Sequence, residues 1–419
     1  MLEYIRKLWK IEDLRNKILY TFGMLILFRL VGCIPAPGID TAAVGLGGNN
    51  LPLLDVMNMM TGGMMSQMTI MAMGISPYIN SSIIMQLLCI ALPVLERMQQ
   101  EEGGREKINR ISRYVTIALA VIQAIGLSNG LGYAKDGLWN NILIGVSMAG
   151  GTALAMWIGE RITEKGIGNG ISLLIFAGIV SNLFNGIVIN GFINASSVTA
   201  VLGGVAMLVL LLVLTLVVTY VDLGERRIPL QIAKQVKGRR VYGGQNTHMT
   251  LKVIAVGVMP LIFAYSFLSF FGTIGQLVAP HSGFTAWCNE HLVNGAWLHL
   301  ILSALLIFAF TFFYSSISFD AKKQAEQLQH QGATIPGRRG KDIASYLQRT
   351  TNRLNLFAAL FLAVLAAIPT LMLRFTGTQV PFAASSMLIA VSVSLETMRT
   401  IKGEMAIRGI ESVKDNGFM

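Results

Sequence analysis

A glycine-rich segment, Gly166-Ile167-Gly168-Asn169-Gly170, is the part of the chain that most invites a chemical role. Glycine lets backbone N–H groups approach an anion, so such a run could hold a phosphate. The sequence contains no G-x-x-x-x-G-K-[ST] and no complete G-x-G-x-x-G motif, and no strand is predicted before the segment. A tight turn between two helices also needs glycine for positive φ, and Asn169 could cap the helix that follows. We therefore predict a structural turn.

Other reactive residues do not form a recognisable site. The cysteines Cys33, Cys89 and Cys288 have no C-x-x-C spacing, the histidines lack the spacing of a metal-binding face, and the chain has no H-E-x-x-H or G-x-S-x-G motif. No pair of carboxylates falls within an apolar segment, and only Arg29 and Glu396 come near membrane depth, both close to the ends of segments. Carriers driven by protons usually place Asp, Glu or His at that depth. We predict no catalytic residue, no metal and no cofactor.

Mild polar groups and isoleucines occupy the apolar segments instead. Asn80, Gln86 and Gln123 could hydrogen-bond between helices at roughly 1 kcal/mol or less, which can hold a seam shut yet let it open. Two aliphatic pairs have the spacing of one helical turn, and they are Ile75 with Ile79 and Ile175 with Ile179. Such pairs usually reflect packing or lipid contact, but around a wide pore they could exclude water and ions. The sequence alone does not choose between these readings.

The elements that position these residues are apolar helices. The chain has 419 residues, of which 53% are hydrophobic and 13% charged, with a mean hydropathy of +0.59. That composition is typical of a polytopic, all-α membrane protein, and about ten segments reach the roughly 20 apolar residues that a spanning helix needs. Their approximate centres are Ile26, Met85, Ala120, Leu143, Ile175, Leu210, Phe267, Leu306, Leu362 and Ala390. A broken, Gly- and Met-rich stretch at 54–73 is not a normal span.

Basic residues are concentrated in alternate loops and in both tails. The positive-inside rule then places both termini in the cytoplasm. Two of these loops, 222–252 and 320–353, are longer than orientation requires, so we predict that they form a docking surface on one membrane side. The net charge of +11 could also attract anionic lipids. The candidate docking arginines are Arg226, Arg227, Arg239, Arg240, Arg338 and Arg339.

A short internal sequence repeat indicates that the chain consists of two halves. Gly74 to Ile79 and Gly257 to Ile262 share the pattern Gly, aliphatic, any, Pro, any, Ile, five spans apart. An odd offset gives the second copy the opposite polarity, so we predict inverted-repeat halves, 18–198 and 199–400, around a central pathway. Residues 1–17 are predicted to form an amphipathic segment in the headgroup plane, and 401–419 to form a cytoplasmic tail.

Four blocks of the sequence form a specific set in order and spacing, and they are Met73 to Leu88, Trp157 to Ser172, Gly238 to His248 and Gly332 to Gly337. Together they resemble the SecY family, the central subunit of the bacterial protein-translocation channel. The resemblance implies an hourglass channel that passes unfolded polypeptides across the bacterial cytoplasmic membrane and releases transmembrane segments laterally into lipid. It implies a constriction of Ile75, Ile79, Ile175, Ile179, Ile262 and Ile389. It also implies a lateral gate bordered by Asn80, Gln123 and Phe270.

The resemblance further implies a plug and a set of partners. The plug lies at about 54–66 and includes Asn58, Met59, Met60, Thr61, Gly62 and Gly63, although a bulkier aromatic would be expected at Met59 or Met60. Arg239, Arg240 and Arg339 match positions that face the ribosome or a SecA-like ATPase. The second loop is one residue shorter than the usual pattern of the family and lacks the second proline of that pattern. Either Arg338 or Arg339 could therefore be the functional arginine.

The implied partners also include SecE-like and SecG-like membrane subunits and polypeptides that carry a signal sequence. Two other function classes remain open from the residues alone. One is an inverted-repeat secondary transporter of small solutes, and the other is a membrane-embedded enzyme, whose reactive group at membrane depth is missing from the sequence. We expect no enzymatic activity from this chain.

Overall fold

The computed structural model describes most of the chain. The described residues are 9–39, 58, 61–101, 103–130, 137–185, 193, 198–232, 235–237, 240–242, 246–257, 259–265, 267–268, 283, 287–288, 291–292, 296–337, 341–376 and 384–407. The helices are α1 Glu12–Val31, α2 Ser76–Ala91, α3 Pro93–Gln100, α4 Gly104–Gly130, α5 Leu138–Lys165, α6 Gly170–Leu183, α7 Val198–Asp222, α8 Trp297–Ser318, α9 Ala321–His330, α10 Lys341–Thr376 and α11 Ala384–Ile407. The strands are β1 Glu225–Ile232, β2 Gln235–Lys237, β3 Arg240–Tyr242, β4 Asn246–Lys252 and β5 Ala333–Thr334.

The helices agree with the predicted all-α membrane architecture. Within the described ranges, five helical segments are long and apolar enough to cross a membrane, and α2 with α3 makes a sixth if this pair, bent by 106°, is one span. Every predicted span centre except Phe267 lies in one of the helices named above. Phe267 lies in a short helical stretch next to residues outside the described set. The chain is therefore a multi-pass membrane protein, and the count of ten spans stays a prediction.

Three apolar clusters follow the predicted halves. One is built from the N-terminal half and includes Met68, Ile144 and Met148, all almost fully buried. Another comes from the C-terminal half and includes Val218 and Leu362. A third cluster draws on both halves and therefore lies at their junction. Because buried side chains from both halves meet there, that junction is a candidate for the central pathway.

The two copies of the internal sequence repeat share a backbone feature. Gly74 has φ +51° and Gly257 has φ +63°, and each precedes a helical stretch that starts within two residues. Both values lie in the left-handed region, which glycine reaches without steric cost. The same turn thus opens the matching element in each half, which supports the inverted-repeat interpretation.

The glycine-rich segment is the turn that the sequence predicts. Gly168 has φ +73°, and Oδ1 of Asn169 accepts hydrogen bonds from the N–H groups of Ile171 at 3.1 Å and Ser172 at 3.4 Å. That side chain therefore caps α6. A Cβ at Gly170 would collide with the carbonyl oxygen of Gly159, so glycine also allows α6 to approach α5 closely. No structural reason remains to treat the segment as a phosphate loop.

Helices α1 and α11, the first and last helices that the structure describes, pack together more closely than predicted. Helix α1 runs without a break through the expected boundary at residue 17, and α11 runs through the boundary at residue 400. Leu14, expected in the headgroup plane, is instead fully buried beside Ile167 and Met405. Nζ of Lys17 lies 2.8 Å from Oε1 of Glu404. Residues 12–17 and 401–407 are therefore parts of the folded body, because their apolar side chains bury against each other.

Candidate functional site

The predicted isoleucines come together at the junction of the halves. Ile75, Ile175, Ile179, Ile262 and Ile389 are buried in one apolar cluster, and Ile79 packs against it. We call these residues the isoleucine cluster. They come from the start of α2, from α6, from the seventh predicted span and from α11. That they form a pore constriction stays a prediction.

A cavity opens beside the isoleucine cluster. The lining residues are Phe28, Thr61, Gly74, Ile75, Ser76, Ile79, Leu174 and Ile175. Most of this lining is aliphatic or aromatic, and Thr61 belongs to the predicted plug. The predicted plug and the predicted constriction thus share one cavity wall.

Described residues of the predicted plug form a compact turn against this wall. The carbonyl oxygen of Asn58 accepts hydrogen bonds from the Gly63 N–H at 2.9 Å and the Thr61 hydroxyl at 3.1 Å. Oδ1 of the same asparagine accepts from the Ser66 N–H at 3.0 Å. Thr61 and Gly62 are buried. Met59 and Met60 lie outside the described residues. We call residues 58–63 the plug loop.

Two side chains from elsewhere in the chain reach the plug loop, and the sequence did not reveal either contact. Nη1 of Arg29 donates to the Gly62 carbonyl at 3.1 Å, and Nδ2 of Asn182 donates to the Asn58 carbonyl at 3.1 Å. The signal that could have found the first contact is a lone cation in an apolar helix, since such a group needs a polar partner. The second contact had no sequence signal, because α6 and the loop are far apart in the chain.

The predicted lateral gate is described in part. Asn80 is half-buried on α2, and Gln123 is buried on α4, where its side-chain oxygen has no hydrogen-bond partner among the described residues. Phe270 lies outside the described residues. The hydroxyl of Ser81 donates to the Ser112 carbonyl at 2.7 Å, so α2 and α4 are joined within the N-terminal half. Their role as a gate stays a prediction.

A contact between the halves was missed by the sequence reading. The hydroxyl of Tyr314 on α8 hydrogen-bonds to Oε1 of Gln86 on α2. The ring of Phe263, next to Ile262 of the isoleucine cluster, lies 4.7 Å from the Tyr314 ring. Gln86 was recognised only as a mild polar group, because nothing in the sequence pairs it with a residue of the other half.

The described parts of the two long basic loops pack against each other and share one small sheet. Strands β4, β1 and β5 form an antiparallel sheet in that order, with β1 and β4 from the first loop and β5 from the second. Gln231 pairs with Thr334 across the loops. Beneath the sheet, Ile228 packs in one cluster with Ala325 of α9 and Leu347 of α10. We call the sheet, α9 and the first turns of α10 the loop platform.

The sequence contained a signal for β1 that the loop prediction did not use. Ile228, Leu230 and Ile232 alternate with polar residues and proline, as expected of a strand with one buried face. Ile228 and Leu230 are indeed buried. The neighbouring Arg226 and Arg227 are exposed, so the strand presents charge to water while its aliphatic face holds the platform together.

The remaining docking arginines are described incompletely. The backbone of Arg240 pairs with Lys237 in the two-stranded sheet of β2 and β3. Arg239, Arg338 and Arg339 lie outside the described residues. Gly337, just before the last two, has φ +77°, which marks a turn at this point of the second loop. The choice between Arg338 and Arg339 stays a prediction.

Comparison with known proteins places the chain in a family. The SecY family model matches residues 69–398. A protein translocase subunit SecY of Streptomyces scabiei is 36% identical over 442 residues, covering 98% of this chain and 99% of that protein. The SecY subunit of Aquifex aeolicus is 37% identical over 426 residues, covering 96% of this chain and 97% of its own.

Solved structures share the fold. A protein-conducting channel superposes with a TM-score of 0.70 at 20% identity, covering 96% of this chain and 95% of the other. Sec61 in a canine ribosome–channel complex superposes with a TM-score of 0.64 at 17% identity, with the same coverage of 96% and 95%. The family match and the nearly complete alignment with the bacterial relatives lead to one conclusion: the chain belongs to the SecY family.

Proposed function

We propose that this chain is the channel subunit of a protein translocase, which passes unfolded polypeptides across the membrane and releases transmembrane segments laterally into lipid. The observation that carries the proposal is the isoleucine cluster, which draws side chains from both predicted halves and shares a cavity wall with Thr61 of the plug loop. The curated relatives, named protein translocase subunits, align with this chain over nearly the whole of both sequences.

The cluster is suited to a constriction that seals and stretches. Aliphatic side chains exclude water and ions from a narrow passage, because a dry gap between apolar groups is more favourable than isolated water within it. Ile75 and Ile79 lie one turn apart, as do Ile175 and Ile179, so each helix offers two levels of contact. A passing chain of any sequence meets only flexible apolar groups, which suits a channel that takes many substrates.

The seam between the halves is suited to lateral opening. We propose that its border on the N-terminal side is α2, with Asn80, and α4, with Gln123. The proposed border on the other side is α8 and the seventh predicted span, in whose sequence Phe270 falls. The Tyr314–Gln86 hydrogen bond crosses from one half to the other. A single bond of this kind contributes about 0.5–1.5 kcal/mol, which is small enough to break when an apolar segment arrives.

The loop platform is the proposed receptor for the partner that drives the polypeptide. It presents Arg226 and Arg227 on β1. In sequence, Arg239 and Arg240 belong to the first loop and Arg338 and Arg339 to the second, and we propose that they contribute to the same receptor. Solved relatives include Sec61 and the yeast Ssh1 complex on ribosomes, which supports the ribosome as a partner of this chain. Because the sequence shows no nucleotide-binding motif, a partner such as a SecA-like ATPase would supply the energy for translocation. We propose that this ATPase binds the same surface as the ribosome.

The proposed setting is a bacterial cytoplasmic membrane with both termini in the cytoplasm. The sequence relatives from Streptomyces scabiei and Aquifex aeolicus are bacterial, and the basic loops and tails would then face the cytoplasm and anionic lipid. SecE-like and SecG-like subunits would cover apolar faces such as that of α7, on which Leu216 and Tyr220 are exposed. In this role the chain makes and breaks no covalent bond, so it is not an enzyme.

The decisive experiment is reconstitution of the chain in liposomes with candidate partner subunits, a SecA-like ATPase and a precursor that bears a signal sequence. Protease-protected precursor inside the vesicles is the expected result, and it should require ATP. Substrate-dependent uptake of a small solute by the purified chain, without the ATPase and without protected precursor, would favour the transporter instead. Vesicles that lack the chain provide the matched control.

A further inference from the structure

Arg29 is a charged group in an apolar environment. It lies in the last turn of α1, and its guanidinium is half-buried. A charge at membrane depth is costly and is kept where it has a partner and a task. Its Nη1 donates to the carbonyl of Gly62 at 3.1 Å, so the partner of this cation is the backbone of the plug loop rather than a carboxylate.

The contact between Arg29 and the plug loop is close-fitting. Gly62 has φ +70°, and a Cβ built there would lie 2.8 Å and 2.9 Å from the two terminal guanidinium nitrogens of Arg29. The same Cβ would lie 3.0 Å from the Cα of Gly178 on α6. Gly178 is next to Ile179 of the isoleucine cluster. Two glycines therefore let the guanidinium, the loop and α6 meet at one point beside the proposed constriction.

A second side chain holds the other end of the loop. Nδ2 of Asn182, one turn after Gly178 on α6, donates to the Asn58 carbonyl at 3.1 Å. That carbonyl is also the acceptor for the internal turn, through the Gly63 N–H and the Thr61 hydroxyl. Asn182 therefore contacts the group that organises the loop. Arg29 and Asn182 approach from different helices and bind opposite ends of the same short segment.

The chain just after the loop is anchored differently. Met64, Met68, Met71 and Met73 are almost fully buried. The Ile70 N–H donates to the Ile34 carbonyl at 2.9 Å, which ties this segment to the chain just after α1. Burial of several large side chains is far harder to reverse than a few hydrogen bonds. The loop can thus leave its place while the methionine-rich segment stays.

We infer that Arg29 and Asn182 are positioning residues that tether the plug loop and set how readily it leaves the constriction. This inference rests on the proposed function, since it needs the loop to be a plug. Both tethers are hydrogen bonds to backbone carbonyls, so water can replace the lost acceptors once the opened pathway is wet. The tether is therefore strong enough to bias the closed position and weak enough to release it.

The first test measures ion leak through the resting channel, reconstituted with its accompanying subunits in planar bilayers. Arg29→Gln should raise the leak at least about tenfold, because a hydrogen bond from a charged donor to a buried acceptor is lost. Asn182→Ala should raise it by a smaller factor, about fivefold, because its hydrogen bond is between neutral groups. Arg161→Gln is the matched control, since Arg161 is partly exposed and pairs with Glu164 on its own helix.

The second test asks whether Arg29 acts through the loop. Each substitution is repeated in a channel that lacks residues 58–63. The deletion alone should leak, and Arg29→Gln should then add nothing, because its binding partner is gone. Gly62→Ala provides an independent route to the same effect in the intact channel, since the added methyl group pushes against the guanidinium. If the Arg29→Gln variant does not assemble, Arg29→Lys, which keeps the charge, replaces it in both experiments.

A direct readout is the accessibility of Thr61. In a chain whose own cysteines are replaced by alanine, Thr61→Cys should react slowly with a membrane-impermeant thiol reagent, because this position is buried. Adding Arg29→Gln should speed the reaction about tenfold. If Arg29→Gln changes neither the leak nor the labelling rate while the deletion variant leaks, the tether is refuted and the assignment of the plug still holds. Extra leak from Arg29→Gln in the deletion background would also refute it, and a deletion that does not leak would reject the plug itself.

Discussion

The loop platform makes a sharp prediction, because two distant chain segments share one small core. Ile228 of β1 is 1% exposed and packs with α9 and α10, which belong to the second loop. Ile228→Ala removes three carbon atoms at about 0.8 kcal/mol each, or about 2.4 kcal/mol. A partly unfilled cavity would add to that cost. We therefore expect the free energy of local unfolding of the platform to fall by about 2.4 kcal/mol or slightly more.

The assay is limited proteolysis of the channel in membranes, with a protease that cleaves after lysine. When opening is fast relative to cleavage, the cleavage rate follows the population of the open form, so 2.4 kcal/mol corresponds to roughly a 50-fold increase. The cleavage site to follow is Lys322 or Lys323, both exposed on α9 of the second loop. Gln231→Ala is the matched control, because that side chain lies on the same strand but faces solvent.

The outcome separates a joint platform from two independent loops. If the loops fold together, a change in the first loop must speed cleavage in the second, since both lose the same core. Faster cleavage within the first loop alone, with Lys322 and Lys323 cut at the original rate, would refute the reasoning. Equal acceleration by Gln231→Ala would show that the effect does not come from the buried face.

Three further predictions follow from the site and its supports. Arg239→Glu with Arg240→Glu should weaken binding of ribosomes or a SecA-like ATPase and reduce the salt dependence of that binding. Thermal unfolding should stay unchanged, since surface charges contribute little to stability. Equal binding by the variant and the original chain at low salt would contradict this prediction. Ile179→Asn should leak more ions in planar bilayers than Ile179→Leu, because a carboxamide gives water a hydrogen-bond partner inside the cluster, and equal conductance would count against the constriction. Asn169→Ala should lower stability in detergent by about 1 kcal/mol, seen as a lower unfolding midpoint, and an unchanged midpoint would mean that the cap is dispensable.

The sequence was a good guide to local features. The positive φ of Gly168 and the cap by Asn169 follow from residue type and position, and both are present. The helix placements follow from apolar segments of sufficient length, because a backbone in lipid must satisfy its hydrogen bonds within the helix. Local preferences of this kind depend on a few neighbouring residues, which a sequence displays directly.

Contacts between distant segments were harder to foresee. The spacing of Ile175 and Ile179 predicted one helix face but left open what that face meets, and Ile389 joins it from more than two hundred residues away. The partner of Arg29 could not be identified, because a backbone carbonyl has no residue type to recognise. The boundary at residue 17 followed from an amphipathic pattern, which does not show whether the apolar face, with Leu14, meets lipid or another helix such as α11.

The sheet of the loop platform also has a mechanical consequence. β1 follows α7 directly, β4 leads into the seventh span, and β5 lies between α8 and α10. A load applied to the sheet is thus shared among four membrane segments, all of the C-terminal half. A push on this surface would displace that half as one lever against the N-terminal half, and the strain would be concentrated at the seam where the halves meet.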